Sequence, residues 1–235
     1  MALAYPSFRT VEPLSPYLPE NLRRGLVLYL WMNEGAGNMV YDLSGNGNHG
    51  TIYGATWTRL ASGKNVLYFD GVDDYVVVPH SDVLNIAPGN QITIAMWAKF
   101  TGWQRGYYVG VPIDKRSENT ANYNWEFNST VMMMRVHGGG LVRVVIVPHS
   151  LNTWNFYAMV LNGSWLGGYL NGELKASRSD VPESRGNTMN LFIGQTVWYT
   201  FRVEGIIASV LIYNRALSDA EIRTLYELHR GLFAG

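Results

Sequence analysis

The sequence predicts an all-β sandwich closed by one short helix, and three observations carry that prediction. Short apolar runs rich in β-branched and aromatic residues recur from Gly25 to Tyr213. Glycine, asparagine and aspartate separate these runs at loop-scale intervals, because they tolerate positive φ and bond their own backbone. Only one segment, near the C-terminus, combines helical spacing with a helix-start signal.

Residues 1–24 stand apart from the rest. Pro6, Pro13, Pro16 and Pro19 recur at short intervals, which suits an extended arm and not a helix. Such an arm reads either as a leader or as a segment that docks on a neighbouring subunit. Residues 25–235 form the expected domain. Its first strand, Gly25 to Met32, is apolar on both faces and reads as a buried inner strand. Further strands are expected at 66–69, 75–78 and 91–100, where Ile92, Ile94, Met96 and Ala98 alternate with their neighbours. Then follow 107–113, 123–127, 131–136, 141–147, 155–161, 165–170, 174–177, 191–194 and 203–213. Asn162-Gly163 and Asn171-Gly172 each sit between apolar runs, so a tight antiparallel meander is expected from Trp154 to Ser177. Ser218 and Glu221 fit a capping box, with Ile222, Leu225 and Leu228 at helical spacing behind it, which predicts a helix over 219–229.

At 235 residues with 47% hydrophobic content, the chain can fill a full core. Formal net charge is zero and the basic residues are scattered, so no basic face for nucleic acid is visible. The chain has no cysteine, which removes disulfides and thiolate chemistry. Met1 to Thr10 lacks the basic start and apolar run of a secretory signal, and no stretch is apolar over the length of a membrane span. A soluble chain is expected, one that works at a virion or other surface only by leaving its cell along another route.

Several segments taken in order resemble one family. Gly25-Leu-Val-Leu-Tyr-Leu30 is followed by Asn33-Glu-Gly-Ala-Gly37, Asp42-Leu-Ser-Gly-Asn-Gly-Asn-His-Gly-Thr51 and Phe69-Asp-Gly-Val-Asp-Asp-Tyr-Val76. Ile92 to Trp97, Trp154, Tyr169 to Glu173 and Ile212 to Glu221 come next. Together these resemble laminin-G-like domains of the concanavalin A-like lectin/glucanase jelly rolls. The resemblance implies a two-sheet antiparallel jelly-roll sandwich used mainly to recognise surfaces. It also implies a structural calcium ion (Ca2+) held through Asp42, Asn46 and Asn48 with acidic residues near the last strand. Here Ala208 and Ser209 occupy the acidic places. Fewer anionic oxygens weaken such a site, so it is expected to be weak, moved or lost, with the loop then held by hydrogen bonds.

Glucanases of the same fold place paired carboxylates on one strand, and this chain has no such triplet. Glu118, Glu126, Glu173, Glu183 and Glu204 stand singly, so no catalytic residue is assigned and an enzyme is not expected. The five histidines show no zinc spacing. Asp70, Asp73 and Asp74 form the densest acidic cluster, read either as a cation or sugar-hydroxyl site or as a turn whose aspartates cap backbone amides. Trp31, Trp97 and Trp154 lie in or beside strands and read as core, and Met132-Met-Met134 reads as packing.

The remaining aromatics carry the functional expectation. Trp103, Gln104, Arg105 and Tyr107 lie in one Gly-flanked segment, and Trp198 and Tyr199 in another. A ring face beside amide or guanidinium donors suits a pyranose, so these six are the candidate ligand-binding residues. Two non-enzymatic functions follow: recognition of a glycan or protein surface through loop aromatics, or a structural subunit of a virion or surface assembly that uses residues 1–24 for subunit contacts.

Overall fold

The computed structural model describes residues 17–86, 88–116, 122–184, 186–196 and 201–233. Residues 1–16 of the arm, together with Trp198 and Tyr199, lie outside the described residues.

The described residues form two antiparallel eight-stranded sheets that face one another. The first contains β1 (Leu26–Leu30), β4 (Thr56–Arg59), β5 (Asn65–Asp70), β7 (Gln91–Trp103), β12 (Asn155–Asn162), β13 (Trp165–Leu170), β14 (Glu173–Arg178) and β16 (Val203–Tyr213). Its order is β14-β13-β12-β7-β16-β5-β4, and β1 pairs with the C-terminal half of β16. The second sheet contains β2 (Met39–Val40), β3 (Gly50–Tyr53), β6 (Tyr75–Val78), β8 (Gly110–Asp114), β9 (Asn122–Phe127), β10 (Val131–Gly138), β11 (Leu141–Pro148) and β15 (Leu191–Ile193). Its order is β11-β10-β9-β8-β15-β6-β3-β2. Such an arrangement is the jelly-roll sandwich that the sequence resemblance implied.

Alternation along the strands builds the inter-sheet core. Leu28, Leu30, Ile94, Met96, Trp125, Met134 and Ile212 point inward and are buried. A second apolar cluster covers the far face of the first sheet, which explains why β1 is apolar on both faces. There Tyr29, Trp31, Trp97 and Phe156 pack under α2 (Asp219–His229), through Ile222 and Leu225, and under Phe233. Residues 17–24, read as part of the arm, supply Leu18 and Leu22 to this cluster. A short helix, α1 (Glu20–Arg23), forms there. Among the described residues no helix is long and apolar enough to cross a membrane.

Local chemistry places the turns as expected. Leu170 pairs with Glu173 around Asn171 and Gly172, both at positive φ, as a type I′ hairpin turn demands. Asn162 pairs with Trp165, so the first hairpin instead has Gly163, φ +61°, at its first central position. The capping box forms in full: Glu221 N–H donates to Ser218 Oγ at 3.3 Å, and Ser218 N–H donates to Glu221 Oε2 at 2.9 Å.

Three differences from the sequence reading matter. The strand expected over 107–113 begins only at Gly110. The strand expected to end at Phe100 continues to Trp103, so that tryptophan stands at a strand end and not in a loop. The short strands β2, β3 and β4 flank the Gly-rich loops and had not been expected. Two- and four-residue strands carry too little periodicity to be read from a string.

Candidate functional site

Three of the candidate ligand residues meet at the sandwich rim. The ends of β5 and β7 and the start of β16 converge there, with Glu204 opposite Asp70 on one side and Gly102 on the other. A cavity of about 540 Å³ opens between them, lined by Trp103, Gln104 and Arg105, by Asp70 to Val72, and by Glu204. Two glycines make room for the Glu204 side chain. A Cβ on Gly102 would stand 3.1 Å from Glu204 Oε2, and one on Gly71, at φ +79°, would meet Glu204 Cβ at 3.2 Å.

Trp103 belongs half to the core. Its ring meets Phe127 edge-on at 6.0 Å, and its Nε1–H donates to the Tyr107 carbonyl at 2.7 Å. That bond and the Tyr107 N–H to Gln104 carbonyl bond at 3.3 Å fold the 104–107 turn. Tyr107 itself packs edge-on against Phe201 at 5.0 Å and is outside the cavity lining. Gln104 N–H donates to the Arg202 carbonyl at 3.2 Å, and the Arg202 guanidinium donates to the Val72 carbonyl, tying both rims together. The side-chain Oε1 of Gln104 is buried and has no hydrogen-bond partner among the described residues.

Beside the cavity, ligand atoms of Asp70, Asp73 and Asp74 lie within 4.8 Å of one another. Asp70 N–H donates to Asp74 Oδ2 at 2.8 Å and Val72 N–H to Asp70 Oδ1 at 2.7 Å, so aspartates cap backbone amides in this turn. Burial, helped by the charges of Asp70 and Asp73, raises the Asp74 carboxyl to about 6, against the pull of the Asp70 amide.

The loop of the implied calcium site is built differently. Asp42 Oδ1 accepts from Tyr29 N–H and Ser44 N–H, both at 2.9 Å. Its Oδ2 accepts from Ser44 Oγ at 2.8 Å and Asn48 N–H at 2.9 Å. Asn46 and Asn48 turn their Nδ2 groups to the Leu26 and Val27 carbonyls at 3.2 and 2.9 Å. A hard cation needs free oxygens, and this donor set does not fit one, because both carboxylate oxygens already face N–H and O–H groups. Ala208 and Ser209 are buried where β16 bulges against β7.

A second polar constellation escaped the sequence reading. On the outer face of the second sheet, Asp114 Oδ2 accepts from Thr196 Oγ1 at 2.5 Å and from Arg116 Nε at 3.2 Å. Glu126 Oε1 accepts from Arg135 Nη1 and from Asn124 Nδ2, the latter at 3.1 Å, while His137 Nε2 meets Asn124 Oδ1 at 2.7 Å. Burial, with Arg116 and Arg135 adding to it, lowers His137 to about 4. The signal was present as alternation: Asn122, Asn124 and Glu126 share one face while Tyr123, Trp125 and Phe127 share the other. Two carboxylates and two guanidiniums balance there, which makes the group a self-satisfied polar bed.

Comparison with known proteins agrees with this architecture. The binding domain of Paraclostridial Mosquitocidal Protein 1 superposes with a TM-score of 0.70 at 17% identity, over 87% of this chain and 52% of that one. The binding domain of botulinum neurotoxin DC, solved in complex with rat synaptotagmin II, gives 0.70 at 15% identity, over 86% and 51%. A structure of botulinum neurotoxin type C, whose cell entry is described as dependent on two ganglioside molecules, gives 0.70 at 14%, over 88% and 52%. The chain thus spans about half the length of these structures, and at such identities the likeness carries the fold alone. No curated protein sequence matches the chain. A laminin G-like family model, described as the concanavalin A-like lectin/glucanases superfamily, matches residues 70–223. With well over half of its length matched, the chain belongs to that laminin G-like family of the concanavalin A-like superfamily.

Proposed function

We propose that the chain is a non-enzymatic recognition module that takes a hydroxyl-rich ligand, a glycan, in the rim cavity. One observation carries the reading: a half-buried Trp103, the unpartnered Gln104 Oε1, the Arg105 guanidinium and the Asp70 and Glu204 carboxylates border a single cavity of about 540 Å³. Sugar hydroxyls are donors and acceptors at once. Carboxylates and the Gln104 oxygen accept from them, Arg105 donates, and the tryptophan offers apolar surface to the pyranose C–H face. A cavity of this size lies within the range that holds small ligands.

The carboxylates are suited to holding hydroxyls rather than to acid-base chemistry on a glycosidic bond. Glu204 Oε1 already accepts from Thr101 Oγ1 at 3.2 Å, and Asp70 caps the Val72 amide. No cation is part of the reading. The solved neighbours, one in complex with a synaptotagmin and one described with gangliosides, agree with a surface-recognition role without assigning this chain a ligand. A glycan array probed with the full chain tests the proposal. Selective capture of one glycan class supports it, and a blank array from folded protein overturns it.

A further inference from the structure

A second cavity lies at the sandwich edge where residues 17–26 cross the outer face of the first sheet beside the Asp42 loop. Its volume is about 380 Å³. Leu18, Leu26, Leu43 and Tyr17 make the walls largely apolar, and Leu43 keeps 48% of its surface exposed although it is a large aliphatic side chain. Besides Ser44, whose Oγ donates to Asp42 Oδ2 at 2.8 Å, two polar groups break this lining. Tyr29 is only 2% exposed, yet its hydroxyl has no hydrogen-bond partner among the described residues. Burial and the neighbouring Tyr213 push that phenol well above its ordinary range, so it can only act as a neutral donor or acceptor. A buried hydroxyl without a partner is costly and uncommon, and an acceptor entering the cavity would relieve it.

Arg23 is the other polar group. Its Nε donates to the Leu18 carbonyl at 3.0 Å and its Nη2 to Tyr17 Oη at 3.3 Å, while the guanidinium lies 5.2 Å over the Tyr17 ring. These contacts hold a cation at the cavity with half of its side chain still in solvent. Its carboxylate neighbour, Glu20, stands 3.6 Å away and is 90% exposed, so it sits in water and competes weakly. Among the described residues Arg23 is the only charged side chain lining the cavity. Tyr29 and Arg23 line the same cavity, whose volume lies within the range that holds one small ligand.

We propose that this cavity binds a free amphipathic carboxylate, with its chain against Leu18, Leu26 and Leu43 and its head group answered by the Tyr29 hydroxyl and Arg23. The site is separate from the rim cavity in its residues and in its ligand chemistry. Its failure would leave the glycan reading untouched.

Calorimetric titration of the full chain with octanoate, and with octanol as the neutral counterpart, tests this. Octanoate is expected to bind saturably at one site, with octanol at least about fivefold weaker because it lacks the charge. Arg23→Gln and Leu43→Asp should each weaken octanoate about tenfold or more, the first by removing the cation and the second by placing a like charge at the wall. Tyr29→Phe removes one oxygen and keeps the ring. It should weaken octanoate about fivefold while leaving the melting temperature equal or higher, since an unpartnered hydroxyl is lost. Near-ultraviolet circular dichroism confirms the fold of each variant. Absence of saturable octanoate binding overturns the proposal, as does binding that none of the three variants alters. Capture by phosphatidylcholine vesicles doped with oleic acid, without binding of free octanoate, also overturns it, because the carboxylate would then be membrane-borne.

Discussion

The loop around Asp42 and the loop from Asp70 to Asp74 look alike as strings, both dense in Gly, Asn and Asp, yet they spend their oxygens in opposite ways. Asp42 gives both carboxylate oxygens to four donors, and Asn46 and Asn48 donate to the Leu26 and Val27 carbonyls of β1. That loop is a clasp between the 42–48 turn and β1. The 70–74 loop instead crowds three carboxylates within 4.8 Å, uses only two of their oxygens on backbone amides given above, and stands at a cavity with Trp103 and Glu204. Composition announces a loop. Whether its polar atoms remain available depends on what the fold brings near them, and only the tertiary structure supplies that.

The largest expected effect breaks the clasp. Asp42→Ala removes acceptors from four donors, three of them backbone N–H groups, and should cost about 4 kcal/mol at about 1 kcal/mol per bond. Chemical denaturation should show a lower midpoint at unchanged slope. Next in size, Trp103→Ala should lose about 2 kcal/mol, less than a fully buried tryptophan because the ring is only half in the core. That variant should also lose ligand binding, which is why it tests packing and recognition together.

A smaller and pH-dependent effect sharpens the contrast at the other loop. The Asp74 pKa in the fold, about 6, lies above its ordinary value of 3.8. Its contribution to stability is therefore full below the ordinary value and is lost as pH rises through about 6. Asp74→Asn keeps an acceptor for Asp70 N–H without the charge. It should melt higher than the parent at neutral pH, with the gain closing as pH falls toward 4, as thermal melts across pH will show. The smallest expected effect is none. Neither calcium nor a chelator should shift the melting temperature, because a ligand that binds the folded state must stabilise it. A calcium-dependent rise would show that a cation displaces the donors around Asp42 or bridges Asp70, Asp73 and Asp74.

Much of this architecture was legible in the string, and physics explains which parts. Long alternating strands such as Gln91–Trp103 and Val203–Tyr213, the Asn171-Gly172 turn and the Ser218 capping box are local patterns that need no tertiary information. The cluster of Trp103, Gln104 and Arg105 was legible as residue types suited to a ligand. Asp70 was legible as part of an acidic cluster read as a cation or sugar-hydroxyl site or a turn. Its meeting with Trp103 and Glu204 was not, because three strand ends far apart in sequence meet only in the sheet. Asp114 and Glu126 were likewise hidden, since adjacent strands and not spacing place them on one bed. Tyr107 was grouped with the ligand residues by proximity in sequence, while its ring packs on Phe201.

The central claim is that the rim cavity recognises a glycan, and calorimetry on Gln104→Ala tests it most directly. The parent and variant would be titrated with the glycan selected on the array. The substitution removes an amide whose buried Oε1 has no partner among the described residues, so the fold should melt at or above the parent's temperature. Binding should weaken about tenfold, as expected when a ligand hydroxyl loses its acceptor. Equal affinity in parent and variant, with both folded, would contradict the account and move recognition away from Trp103, Gln104 and Glu204.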